Sequence, residues 1–131
     1  MKADLINAWL FNEGYKHEID SDGDVHFKYN GKHIYFTPDE DETYFRLIMP
    51  NIYELEDNRV KVLEACNTIT RDYKVVKAYL VKDRLWLSIE MFVDSTPEVG
   101  DFFERCCRIL ISAYEDTAKE IFKEKQHGKA R

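Results

Sequence analysis

The acidic stretch at residues 20–24, Asp-Ser-Asp-Gly-Asp, contains the residue types of a calcium-binding loop. An EF-hand loop also needs a glycine at its sixth position and a glutamate at its twelfth that binds through both oxygens. Val25 and Gly31 occupy those positions, and the flanking residues alternate like strands instead of repeating like helices. The stretch therefore predicts a turn between two strands.

Three histidines lie on neighbouring predicted strands, where imidazoles could bind a transition metal. They are His17, His26 and His33, and the last two share one face of the predicted sheet. The sequence fixes no cysteine or carboxylate beside them, so a complete ligand set cannot be assembled. We therefore predict no metal site and no cofactor.

The three cysteines could act as nucleophiles or redox groups, and two of them are adjacent. Cys66, Cys106 and Cys107 all fall in helical patterns, with no histidine or aspartate motif of a nucleophilic site around them. An odd number of cysteines also argues against a disulfide framework. We predict buried free thiols, no catalytic residues and no enzymatic activity.

Composition limits the remaining classes of function. The chain has 131 residues, 44% of them hydrophobic, and a net charge of −6. We expect one α+β domain over residues 1–125 and a frayed charged tail over residues 126–131. The acidic balance disfavours nucleic-acid binding, and no apolar run is long enough to cross a membrane. The first residues lack the apolar segment of a signal peptide, so we expect a cytoplasmic protein.

The other residues are organised around residues 74–93, which alternate with a period of two, as in a long β-hairpin. A two-residue turn at residues 82–83 gives a register that gathers the small aliphatic side chains on one face. The predicted pairs are Leu80 with Leu85, Ala78 with Leu87, and Val76 with Ile89.

The opposite face of this hairpin carries four aromatic residues. They are Tyr73, Tyr79, Trp86 and Phe92, and the register pairs Tyr79 with Trp86 and Tyr73 with Phe92. In one interpretation another part of the chain covers them, because aromatic pairs stabilise sheets without any further function. In the other they form a dimer or partner surface, because exposed apolar patches mark interfaces. Because the predicted helices are needed on the aliphatic face, we predict these four residues to be the interaction face.

The rest of the sequence predicts three amphipathic helices and four further strands. The predicted helices cover residues 3–13, residues 58–72 and the residues from Thr96 to about 123, with Thr96 as the N-cap before Pro97. The predicted strands cover residues 15–20, 24–29, 32–37 and 43–49, and Pro50 ends the last of them. Asn30-Gly31 is a strong signal for a hairpin turn. The predicted fold is α+β, an antiparallel sheet in α-β-β-β-(β)-α-β-β-α order with the helices packed on one face.

This order resembles that of the YbjN-like proteins, labelled as candidate sensory-transduction regulators, which share the fold of type III secretion chaperones. The likeness is carried by Gly14-Tyr15 after the first helix, residues 22–27, Asn30-Gly31, residues 45–50 ending in proline, residues 64–70 and residues 75–79. The helix motif at residues 64–70 contains Asn67, whereas the family's second asparagine is replaced by Thr70 or is absent.

The resemblance implies a non-enzymatic domain, commonly dimeric, that binds another polypeptide. Our leading hypothesis is a protein-interaction or chaperone-like domain that forms a homodimer through the aromatic face and the second helix. The alternative is a sensory regulator that binds a small ligand between the sheet and the helices. An enzyme is the third class, and no motif in the sequence supports it.

Overall fold

The computed structural model describes residues 1–123 and contains a six-stranded antiparallel sheet and three α-helices. The strands are β1 (His17–Ile19), β2 (Val25–Tyr29), β3 (Lys32–Phe36), β4 (Tyr44–Glu54), β5 (Val76–Val81) and β6 (Arg84–Phe92); the helices are α1 (Asp4–Asn12), α2 (Arg59–Asp72) and α3 (Phe103–Phe122). The strand order is β1-β2-β3-β4-β6-β5. The predicted fold class is confirmed.

The core lies between one face of the sheet, the inner face, and the three helices. Leu85, Leu87 and Ile89 of β6 are fully buried there, together with apolar residues of α1, α2 and α3. Phe103 joins several elements, because its ring contacts Trp9 of α1 at 4.9 Å between centroids and also approaches aromatic rings of β2 and β4. The alternation in the sequence is therefore explained by one buried face.

Both predicted hairpins are present. Phe27 lies opposite Ile34 across the β2–β3 turn, where Asn30 and Gly31 have positive φ angles of 50° and 75°. In the second hairpin the three predicted aliphatic pairs all form, and Tyr79 lies opposite Trp86. A turn residue that must adopt positive φ favours Asn or Gly, which is why the first turn was easy to locate.

Strand β4 differs from its prediction, because it does not end at Pro50. It continues to Glu54 along β6, with a shift of register between Met49 and Tyr53. Asn51 has a φ of 53°, so the chain bulges outward and then resumes pairing with β6. A bulge accommodates a proline inside a strand, since the residue lacking an N–H falls where the ladder is already interrupted.

The start of α3 also differs from its prediction at Thr96 and Pro97. A 3₁₀ turn at Val99–Asp101 comes first, and α3 begins at Phe103. Phe102 has a φ of −137°, which interrupts the helical geometry and lets both Phe102 and Phe103 pack against Phe45. Packing of two adjacent aromatic rings therefore outweighs the local capping signal.

Two further predictions concern the C-terminal tail and the absence of a membrane-spanning segment. The predicted tail at residues 126–131 lies outside the described residues. Within residues 1–123, none of the helices combines the length and the apolar character needed to span a membrane.

Candidate functional site

The face of the sheet that points away from the three helices is called the outer face here. Its central residues alternate with the buried core residues along β3, β4, β5 and β6. They are Tyr35, Tyr44, Arg46, Ile48, Lys77, Tyr79, Trp86, Ser88, Glu90 and Phe92. Among residues 1–123, no helix packs over this surface, since the buried apolar residues of all three helices join the core on the inner face.

Glu90 lies near the centre of the outer face and collects three hydrogen-bond donors. The Tyr44 hydroxyl donates to one carboxylate oxygen, the Ser88 hydroxyl donates to the other at 2.8 Å, and the Lys77 ammonium lies 3.2 Å away. Burial alone raises the pKa of Glu90, but these three donors outweigh it and hold the pKa below its ordinary value. Burial and the bond to Glu90 also raise the pKa of Tyr44 to about 12. Glu90 is therefore a fixed negative charge at neutral pH.

Arg46 faces Glu90 directly across the β4–β6 pair, yet its guanidinium bonds to a different residue. One terminal nitrogen donates to the Tyr79 hydroxyl at 3.3 Å, and the Nε atom is buried without a partner in the protein. Burial lowers the pKa of Arg46, but the bond to Tyr79 and the nearby charge of Glu90 together raise it, and the pKa lies above its ordinary value. The Nε atom is thus an unsatisfied donor within the outer face.

Aromatic side chains form the edge of this polar centre. Tyr79 and Trp86 lie opposite each other with centroids 6.5 Å apart, and Trp86 Nε1 donates to Asn51 Oδ1 at 3.1 Å. Phe92 is 80% exposed to solvent. The surface combines exposed aromatic area with fixed donors and acceptors, a mixture typical of protein interfaces.

Three of the four predicted interaction residues lie on the outer face, and Tyr73 does not. Tyr73 ends α2, packs against the core and donates its hydroxyl to Asp116 of α3, which together with burial raises its pKa to about 12. Val75 has a φ of 59° and resets the alternation before β5 begins. The predicted pairing of Tyr73 with Phe92 is therefore wrong, because β5 begins only at Val76. On its other side Phe92 lies opposite Tyr44 of β4.

Arg46, Tyr44 and Asn51 belong to this surface and were not predicted as site residues. Alternation along β4 already separates Tyr44 and Arg46 from the buried Phe45 and Leu47. The sequence does not show that β6 rather than β5 pairs with β4. Without that pairing, these residues could not be placed beside Trp86 and Glu90.

The comparisons with known proteins agree with this architecture. Residues 3–129 match the sequence model of TY-Chap1, the family of T3SS (YopN, CesT) and YbjN peptide-binding chaperones. The chain belongs to this family. The predicted resemblance to YbjN-like and secretion-chaperone proteins is thus confirmed. A search of curated protein sequences finds no match.

Two solved structures have the same fold as this TY-Chap1 chain. A protein from Methanothermobacter thermautotrophicus superposes with a TM-score of 0.64 at 12% identity, covering 92% of this chain and 96% of that one. YbjN from E. coli superposes with a TM-score of 0.59 at 14% identity, covering 92% of this chain and 89% of its own. At such identities the likeness concerns the fold alone.

The other sequence features also have definite places in the structure. The acidic stretch is a turn, in which Asp20 Oδ1 accepts the backbone N–H groups of Asp22 and Asp24. His26 and His33 are brought into contact, whereas His17 pairs with Phe27 and so projects from the other face. The three cysteines are free and buried, as predicted.

Proposed function

We propose that this chain is a non-catalytic domain that binds another polypeptide on the outer face of its sheet. The observation that carries the proposal is the position of Phe92, which is exposed, beside the half-buried Tyr79 and Trp86 on a face that no helix of residues 1–123 covers. Membership of a family of peptide-binding chaperones supports the same function. The free, buried thiols suit a reducing compartment, and we propose that the protein acts in the cytoplasm.

The outer face offers two kinds of contact to an extended polypeptide. Phe92 and Trp86 supply apolar area, and aromatic side chains dominate the energy of many interfaces. Arg46 and Lys77 supply donors beside them, with Glu90 as a fixed acceptor. A segment that places an apolar side chain next to a polar one suits this surface best.

Two phenylalanines with nearly the same exposure permit a matched test. Phe92 is 80% exposed on the outer face, and Phe11 is 77% exposed on α1. Peptides selected from a displayed random library would be measured by fluorescence anisotropy against wild type, Phe92→Ala, Tyr79→Ala and Phe11→Ala. We expect affinity to fall about tenfold or more for the outer-face variants, while Phe11→Ala binds like wild type. Equal affinities for all four proteins would overturn the proposal.

We also propose that the chain forms a homodimer in which α2 takes part. Val60 and Leu63 project from this helix with exposures of 70% and 44%. Val60 borders a groove between α2 and the end of α3, and Leu63 lies beside Val60 in a shallow depression of α2 itself. Apolar residues one turn apart on a helix suit packing against the same helix of a second copy. The aromatic outer face supplies a continuous surface in each copy for the bound polypeptide.

Sedimentation equilibrium of wild type and Val60→Glu tests the dimer. We expect the wild type to be dimeric at micromolar concentration and Val60→Glu to be monomeric, because a charge would be buried in the contact. Phe11→Glu, an equally exposed apolar position on α1, should leave the dimer intact. A wild-type protein that stays monomeric would rule the dimer out and would leave the proposal of peptide binding untouched. In a separate thermal-shift measurement, a metabolite that markedly raises Tm would instead support ligand sensing.

A further inference from the structure

His26 and His33 form a contact that the proposed function does not use. They project from β2 and β3 on the outer face, at the other half of the sheet from Trp86. His26 Nε2 lies 2.6 Å from His33 Nδ1, and the ring planes differ by only 21°. The two nitrogens therefore face each other, and a single proton between them satisfies both.

The surroundings of the pair hold His26 in place and leave His33 accessible. The Tyr35 ring stacks on the His26 ring at 4.6 Å between centroids, and Glu18 of β1 lies opposite His26 in the register. Lys28 lies opposite His33, which is exposed to solvent. Burial and the neighbouring His33 lower the pKa of His26 below its ordinary value.

We propose that His26 and His33 together chelate a divalent first-row transition metal ion, such as Zn²⁺, Ni²⁺ or Cu²⁺. The ion takes the position of the shared proton, which moves through solvent to the other nitrogen of its own ring, so that both imidazoles stay neutral. Imidazole nitrogens suit these ions. With metal–nitrogen bonds of about 2.0–2.1 Å, two nitrogens on one ion lie about 2.9–3.4 Å apart. The observed 2.6 Å separation lies within a few tenths of an ångström of that range, and the exposed ring of His33 can turn to reach it.

Within residues 1–123 the proposed site has two protein ligands. Among residues 1–123, no group of three or more His, Cys, Asp or Glu side chains is arranged to hold a metal ion. Water, or a group from a bound molecule, would therefore fill the remaining coordination positions. Open positions are a property of metal sites that exchange ligands, in contrast to the closed four-ligand sites that serve only structure.

Isothermal titration of Zn²⁺ into tag-free protein tests the proposal. We expect one ion per chain at neutral pH, with affinity about tenfold or more weaker in His26→Gln and in His33→Gln, and weaker also at mildly acidic pH, where protons compete. His17→Gln is the matched control that should bind like wild type, since His17 lies on the opposite face of the sheet.

A second readout identifies the ligands. The electron paramagnetic resonance spectrum of the Cu²⁺ complex should show coupling to two imidazole nitrogens in wild type and to one in His33→Gln. His33 is exposed, so its substitution leaves the fold intact even where His26→Gln perturbs it. Unchanged Zn²⁺ affinity in His33→Gln, or an equal loss in His17→Gln, would overturn the site. None of these results depends on peptide binding.

Discussion

Glu90 is the residue on which the polar part of the outer face depends. Its carboxylate satisfies the hydroxyls of Tyr44 and Ser88 and the ammonium of Lys77, while only 17% of its side chain is exposed. Loss of the charge would leave these donors with a weaker acceptor in a partly buried place. The residue therefore links the stability of the sheet to the shape of the binding surface.

Glu90→Gln should destabilise the protein by about 1 kcal/mol at neutral pH, since a charge-assisted acceptor becomes neutral. The folded pKa of Glu90 lies below its ordinary value of 4.5, so its contribution is present above about that pH and is lost on further acidification. We expect the difference in unfolding free energy between the two proteins to shrink as the pH falls through this range. Urea denaturation at several pH values measures it.

Glu54→Gln is the control for that experiment. Glu54 pairs with Arg84 at 3.9 Å on the surface, with 69% of its side chain exposed. An exposed pair of this kind contributes little to stability. A pH-independent difference for Glu90→Gln, or a pH-dependent effect of the same size for Glu54→Gln, would contradict the role assigned to Glu90.

Asn51 gives a second prediction at this scale, because its φ of 53° favours asparagine and glycine. Asn51→Gly keeps this backbone conformation and loses only the acceptor for Trp86 Nε1. Asn51→Ala loses the same acceptor and also strains the backbone by about 1 kcal/mol or more. Chemical denaturation should therefore rank Asn51→Ala below Asn51→Gly, and the reverse order would show that the bulge does not constrain this residue.

At the scale of elements, α2 protects the edge strand β5. The Ala78 backbone N–H donates to the Thr70 hydroxyl at 3.0 Å, and that hydroxyl lies 3.5 Å from the Ala78 carbonyl oxygen. A side chain thereby takes the place of a neighbouring strand at the middle of β5. Edge strands with unpaired backbone groups invite pairing with other chains, so this contact also limits aggregation.

Thr70→Val should cost about 1 kcal/mol, because it keeps the shape of the side chain and leaves the Ala78 N–H without its partner. Thr70→Ser keeps the hydroxyl and should stay close to wild type. Hydrogen exchange measured by NMR should show faster exchange of the Ala78 amide in Thr70→Val alone. Thr68→Val, on the same helix, serves as the control, and equal exchange in all variants would contradict the contact.

The order of elements and the two hairpin registers could be predicted because local sequence patterns determine them. Asn30-Gly31 specifies its turn, and alternation of period two specifies each buried face. The pairing of β4 with β6 could not be predicted, since it joins segments about 40 residues apart and depends on the whole sheet. The position of Tyr73 was missed for a different reason. The backbone changes direction at Val75 through a positive φ, and valine is not a residue type expected at positive φ.

At the scale of the whole molecule, the two faces of the sheet have different roles. The inner face accounts for all three helices, whose apolar residues pack into one core with Phe103 near its centre. The outer face keeps aromatic area and a polar network centred on Glu90. Tyr79, Trp86 and Phe92 therefore remain the predicted interaction face. Tyr73, which was predicted with them, does not belong to it.

The three thiols report on the integrity of that core. Cys66, Cys106 and Cys107 are between 1% and 5% exposed. Burial raises the pKa of Cys66 and Cys106 to about 11 and raises that of Cys107 further, so almost no thiolate exists at neutral pH in the folded state. A thiol reagent should therefore react only after unfolding.

We expect the disulfide reagent DTNB to modify the three thiols in one slow phase in native buffer. The rate should rise with urea in parallel with the unfolded fraction, because α2 and α3 pack into the same core and must open together. Protein fully unfolded in urea, in which all three thiols react at once, is the reference. Rapid reaction of a single thiol without urea would show that α2 or α3 opens by itself, and would contradict a single cooperative core.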